Sequence, residues 1–245
     1  NTIKKYSVND KKSPRMLDGE KNSFVWNMRY DNAEGFDGLI MWAAGLTGPK
    51  AHPGKYYVRL NVGESSLTES FEILKDKRSM SSNDDLKEQF EFLIGVRDKV
   101  TEIHKTIKQI RSTRDQLTSL NGKLDDSHEE ISNSIKDVIN KITKIEQNLY
   151  QTKNRSRQDP LNFPIRLNNK LAHLSSVAGR GNFRPTDQMY GVRDELVELI
   201  DIELKKWNEI KDSELDKINA MILENNIQLI SICLLYTSDA ADDGV

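Results

Sequence analysis

Leu93-Ile94-Gly95-Val96-Arg97-Asp98-Lys99-Val100-Thr101-Glu102-Ile103-His104-Lys105-Thr106-Ile107-Lys108-Gln109-Ile110 is the stretch on which the fold turns. Leu93, Val96, Val100, Ile103, Ile107 and Ile110 recur alternately three and four residues apart, and Leu117 extends the row. That spacing places one narrow apolar stripe on a helix, with charge on the remaining faces, and predicts a coiled-coil seam. Upstream, Ser82 followed three residues later by Asp85 has the form of a capping arrangement. Downstream, Asn121-Gly122 supplies a stop, and Ile131, Ile135, Val138, Ile142, Ile145 and Leu149 repeat the same spacing. Two such helices joined by a short connection predict an antiparallel helical hairpin.

Further along, Lys153 to Pro164 is a polar connection bounded by proline, and a short helix is expected from about Ile165 to Val177. After a Gly179-Arg180-Gly181-Asn182 loop, Pro185-Thr186 starts a long helix. Its expected buried stripe is Met189, Val192, Leu196, Leu199, Trp207, Ile210, Leu215, Ile218 and Ile222. Residues 79–232 therefore read as a helical coiled-coil bundle.

The residues before it follow a period of two. In Ser23-Phe24-Val25-Trp26-Asn27-Met28-Arg29 the large side chains Phe24, Trp26 and Met28 alternate, and Gly38-Leu39-Ile40-Met41-Trp42-Ala43 is a second apolar run. Pro53-Gly54 forms a turn into Lys55 to Val62, where Tyr56, Val58, Leu60 and Val62 share a face, and Gly63 to Ser66 turns the chain back into Ser70 to Leu74. The expectation for residues 1–78 is a partial immunoglobulin-like antiparallel β-sandwich. It is short of strands, since about five can be found where such a fold uses roughly seven. The fold class is thus mixed and mainly α.

Composition narrows the function classes. The 245 residues carry 36 Lys+Arg against 38 Asp+Glu, a net charge of -2, so no global field attracts nucleic acid or an anionic membrane. No run is long and apolar enough to predict a membrane span. With 30% charged and 36% hydrophobic residues, the chain suits helices with narrow apolar seams better than one large core. The sequence opens on Asn1 with no initiator Met and no charged and then apolar leader, so a targeting signal would lie upstream or never have existed. Cys233-Leu234-Leu235-Tyr236-Thr237-Ser238-Asp239-Ala240-Ala241-Asp242 is the translation of a sequencing adapter, TGT-CTC-TTA-TAC-ACA-TCT-GAC-GCT-GCC-GAC, so residues 233–245 read as foreign to the protein. Cys233 is the only cysteine, and without it neither a disulfide nor a thiolate metal site is expected.

A search for chemistry yields no catalytic, cofactor-binding or metal-binding candidate. Glycoside hydrolysis needs two carboxyl groups held about 5 to 10 Å apart, one with a raised pKa. Asp84-Asp85, Asp125-Asp126 and Glu129-Glu130 read instead as helix-start charges favoured by the macrodipole. His128-Glu129-Glu130 lacks the second histidine of a zinc-protease motif, and His52, His104, His128 and His173 show no ligand spacing. Gly179-Arg180-Gly181 lacks the following lysine of a phosphate loop and reads as a turn between helices. Lys153, Arg155 and Arg157 form a short basic cluster, too small for a nucleic-acid footprint and better read as a solvated loop. Trp26, Trp42, Tyr56 and Tyr57 have the period of sheet packing rather than of a sugar-stacking platform, with Tyr57 on the opposite face from Tyr56.

A resemblance adds to this reading. Trp26-Asn27-Met28-Arg29-Tyr30, Phe36-Asp37-Gly38-Leu39-Ile40-Met41-Trp42, Gly48-Pro49-Lys50-Ala51 and Pro53-Gly54-Lys55-Tyr56-Tyr57-Val58-Arg59-Leu60 resemble the last sandwich domain of bacterial sortilin-like proteins grouped with the glycosyl hydrolases. Leu161-Asn162-Phe163-Pro164-Ile165-Arg166-Leu167-Asn168-Asn169-Lys170-Leu171 and Arg184-Pro185-Thr186-Asp187-Gln188 are similar to the helical tail of that family. Asp31 departs from it, where a proline commonly follows the tyrosine, as does the variable hairpin around Leu120 to Ser134. The resemblance implies a large secreted protein, extracellular or periplasmic, with an upstream β-propeller of short BNR-like repeats that would be this module's partner. It also implies that hydrolysis or ligand binding belongs to that propeller, leaving these residues a structural and interaction role. Two other expectations stand beside it: a freestanding coiled-coil adaptor that binds a protein partner through its bundle, and an accessory part of a hydrolase substrate site.

Overall fold

The computed structural model describes residues 3–6, 24–225 and 227. The expected adapter-derived stretch, 233–245, lies outside the described residues. Strands β1 (Gly54–Val62) and β2 (Ser65–Ile73) form an antiparallel hairpin in which Gly54 pairs with Ile73 and Val62 with Ser65. Helices α1 (Asn83–Asn121), α2 (Glu129–Leu149), α3 (Leu167–Ala178) and α4 (Asp187–Glu209) follow, and α4 passes through a π-helical stretch (Ile210–Leu215) into α5 (Asp216–Glu224). The chain is therefore mainly helical with a small antiparallel sheet.

Helix α1 starts where the sequence places its cap. Ser82 accepts from the Asp85 backbone N–H, and the Asp85 carboxylate accepts from the Ser82 N–H, completing a capping box. Asp84 and Asp85 occupy the first turn of α1, and Glu129 and Glu130 that of α2, as the dipole favours. Asn121 meets Ser132, Arg114 meets Thr143, and Arg111 meets Glu146. One number rises as the other falls, so α1 and α2 run antiparallel.

The core follows the expected stripe from Val96 onward, but Leu93, expected in it, is only half-buried and Phe92 is buried in its stead. Ile103, Ile107, Ile110, Ile135, Ile142 and Leu149 are completely buried, and α1 also packs against α3 and α4. The expected stripe on α4 needs correction. Val192 and Leu199 are 47% and 44% exposed, whereas Ile200, Glu203 and Leu204 are buried beside Leu196 and Trp207. Leu196, Ile200, Glu203 and Trp207 follow steps of four, three and four, so they define the inward face and leave Val192 and Leu199 on its flank.

Two expected strands are also replaced. Between Phe24 and Arg29 the only ladder pairing is a single bridge from Arg29 to Lys50. Asn27 draws the Arg29 N–H onto its side chain, and Met28 takes a left-handed φ of 55°, which ends the alternation a strand requires. The run Gly38 to Ala43 is a loop with positive φ at both ends, and the bundle's side chains take its backbone polar groups. Among the described residues the sheet consists of the β1–β2 hairpin alone.

Candidate functional site: a clamped loop and the cleft beside it

Residues 28–51 form a closed loop. Ala51 N–H donates to Met28 O at 2.7 Å, Tyr30 N–H to Pro49 O at 3.0 Å, and Ala33 N–H to Leu46 O at 2.7 Å. The Gly48 backbone runs so close to the Tyr30 and Asp31 carbonyls that any Cβ there would collide with them. This gives Gly48-Pro49 in the resembling motif a steric purpose.

The loop is held on the bundle mainly by polar side chains from helices. Asn169 of α3 accepts the Trp42 N–H at 2.6 Å and donates to the Trp42 carbonyl at 2.9 Å, replacing the ladder partner a strand would have supplied. Tyr150, which caps α2, accepts the Ile40 N–H through its hydroxyl at 3.2 Å. His173 donates to the Ala43 carbonyl at 2.7 Å, and Thr101 accepts the Glu34 N–H at 3.2 Å. Phe36 packs edge-on against both His104 and Tyr150, with the Arg111 guanidinium 4.5 Å from its ring centre.

His104 is fully buried at the centre of this clamp. Its Nδ1 lies 2.5 Å from the Glu34 carbonyl, which can only accept, so Nδ1 carries the proton and Nε2 accepts from Asn168 at 3.1 Å. Burial pushes the imidazole below its ordinary value of 6.5, and the Lys108 ammonium adds in the same direction. Glu34, hydrogen-bonded to Lys108 at 2.7 Å, is held below the ordinary carboxylate value. A depressed imidazole means that the unfolded chain binds the proton more tightly than the folded one. Stability is thus present above pH 6.5 and is lost as pH falls through that value toward the folded pKa. Urea unfolding between about pH 7.5 and 5.5 is expected to show this decline, and His104→Gln to flatten it. An unchanged slope in the variant would assign the titration elsewhere.

Beneath the clamp, Glu146 holds α1 to α2. Its carboxylate is 3% exposed and accepts from Arg111 at 2.6 Å and Arg114 at 2.6 Å. One acid held by two cations braces the two helices against each other.

Between the loop, the base of the hairpin and the helices lies a cleft of about 740 Å³. Its floor is one face of α1, where Leu86, Phe90 and Leu93 are half-buried, and α3 contributes Ser175 and Ser176. An aromatic series crosses its hairpin end: Phe71 stacks on Tyr56 at 5.8 Å, Tyr56 faces His52 at 6.4 Å, His52 faces Phe90 at 5.1 Å and Phe90 faces Tyr30 at 4.7 Å.

The other groups singled out in the sequence have structural placements. Trp26 packs on Tyr56 and Phe71, while Tyr57 points away and is 66% exposed. Lys153 lies over the Phe163 ring, and the backbone N–H groups of Arg155 and Ser156 are held by Asp159, so the basic cluster is a turn capped by its own acid. Gly179 caps α3, and the Gly181 carbonyl accepts from the buried Gln89. His52 contacts the Pro53 carbonyl, and His128 contacts Asp125. Among the described residues no group of His, Cys, Asp and Glu could hold a metal ion, and no helix is long and apolar enough to cross a membrane. Sequence reasoning missed the clamp formed by Asn168, Asn169 and His173. Two adjacent asparagines in the first turn of the short helix were its only signal.

No family model, curated protein or solved structure matches this chain.

Proposed function

We propose that this chain is a non-catalytic structural and interaction module from the C-terminal region of a secreted sortilin-like propeller protein, with any hydrolytic or ligand-binding activity residing in the propeller. The supporting observation is the hairpin. Val58, Leu60, Val62 and Leu67 share one of its faces and are 53–64% exposed, with Ser65 and Glu69 among them, while Lys55, Tyr57, Arg59, Thr68 and Glu72 occupy the other. A largely apolar face beside a largely polar one is the pattern of one layer of a sandwich. In this reading β1 and β2 supply two strands of an immunoglobulin-like sandwich, and strands encoded upstream cover Leu60 and Leu67. The partition into residues 1–78 and 79–232 belongs to the same proposal, as does the extracellular or periplasmic location.

The clamp gives the module a mechanical logic. His104, Tyr150 and Asn169 fix the loop, the loop pairs with the hairpin's approach, and the bundle holds the sandwich edge in one orientation. The coiled-coil adaptor is the second reading. It has less support, because Ile103, Ile107 and Ile110 are already covered by neighbouring helices of this chain.

Sequencing the upstream reading frame and assaying the purified chain test the proposal. A propeller is expected in frame, the separately expressed propeller is expected to bind this chain, and no glycan in a panel should be hydrolysed by it. Turnover that disappears on replacing one of this chain's own carboxylates would overturn it, as would an upstream frame with no propeller.

A further inference from the structure

We infer that the cleft between α1, α3 and the Gly48–Lys50 loop is a binding site for an amphiphilic carboxylate, a ligand with an apolar body and one anionic end. The inference does not depend on the propeller reading, because the cleft is formed by residues of this chain alone. Its volume of about 740 Å³ lies within the range of small-molecule sites, and it sits at a junction between structural units, where such sites concentrate.

Charge defines the anionic end. Arg29 and Lys50 both line the cleft and are paired residues of the single antiparallel bridge, so their side chains leave the same side of the backbone. Like charges directly opposite each other are unfavourable, yet neither has a carboxylate partner among the described residues. The Arg29 Nη1 donates to the Gly48 carbonyl at 2.9 Å, which fixes the guanidinium and leaves its other donors available. Lys75 adds a third cation at the wall, its ammonium donating to the Ser79 and Ser81 carbonyls. The one acid among the lining residues, Asp76, is already held by Arg78 through Nε at 3.0 Å and Nη2 at 2.7 Å. A guanidinium fork beside an ammonium suits a carboxylate, whose two oxygens it can engage together.

The floor defines the apolar body. Leu86, Phe90 and Leu93 follow the spacing of one helix face and remain half-buried, in contrast to the fully buried Phe92 and Val96 on the adjoining face. Phe90 is flanked by Tyr30 and His52, which makes this part of the floor aromatic.

Anilinonaphthalene sulfonate, a fluorescent aromatic anion, is a suitable probe for the full chain. The hairpin face also attracts such a dye, so the measurement is made in a Val58→Ser/Leu60→Ser/Val62→Ser/Leu67→Ser background, which removes that patch and spares the residues lining the cleft. Saturable binding at one site is expected to survive there. It should be displaced by phenylpropionate and not by phenylpropanol. Lys50→Glu, at an exposed side chain with no side-chain hydrogen bond among the described residues, should weaken binding about tenfold or more, and Arg29→Gln similarly. Helicity by circular dichroism confirms that each variant folds. Dye binding that vanishes with the hairpin patch, equal displacement by acid and alcohol, or folded Lys50→Glu with unchanged affinity would each overturn the inference.

Discussion

Ile107→Asp is expected to destabilise the protein by about 4 kcal/mol, because the carboxylate replaces a fully buried side chain in the bundle seam and has no cation or hydrogen-bond donor supplied for it. The aspartate can avoid ionisation only by taking up a proton, which itself has a cost at neutral pH. Lys108, one residue on, is the control. It is exposed and pairs with Glu34 at 2.7 Å, so Lys108→Asp loses a surface ion pair and meets a like charge, at a cost of about 1 kcal/mol or less. Denaturant unfolding followed by helical signal separates the two variants. Equal losses would mean that the seam has been assigned to the wrong face.

The second large effect concerns Glu146. Replacing both Arg111 and Arg114 with methionine leaves this carboxylate 3% exposed with neither cation, and the expected cost is about 4 kcal/mol. Adding Glu146→Leu to that pair should recover most of the loss, because a neutral trio of similar volume removes the stranded charge. Glu146→Gln alone should cost less than the double arginine variant. The guanidinium groups it leaves behind keep 33% and 25% exposure and so retain access to water. If the triple variant proved no more stable than the double one, Glu146 would not be the group on which the brace depends.

The helical half of the fold was legible because its information is local. Ser82 with Asp85, the three-and-four spacing from Val96 to Ile110, and Asn121-Gly122 each specify a start, a face or a stop within a turn or two of helix. The stripe on α4 was read less well because Val192 and Leu199 are as apolar as Ile200 and Leu204. Which of them lies inward is set by where α1 and α2 stand, and that is a tertiary fact.

The β1–β2 hairpin was legible from its turns and alternation, but the stretch from Phe24 to Ala43 was misread for the opposite reason. Phe24, Trp26 and Met28 alternate as a strand does, yet Asn27 captures a backbone N–H and Met28 turns left-handed. The Gly38 to Ala43 run is apolar, yet its backbone bonds go to Tyr150 and Asn169, more than a hundred positions away. No spacing rule connects residues at that separation. The clamp was invisible for the same reason, although His104 interrupts an apolar seam and two adjacent asparagines begin α3. The cleft is harder still, since two of its cations lie on the loop and the third just after β2, its floor on α1 and its far wall on α3.

The proposed interface sets the hairpin's largely apolar face against chain encoded upstream. Hydrogen exchange of the β1 and β2 amides, compared between this chain and one extended upstream through the expected sandwich, tests it most directly. The account predicts fast exchange around Leu60 and Leu67 in this chain and protection by at least about tenfold in the extended one. Identical exchange in the two, with the extended chain folded, would contradict it.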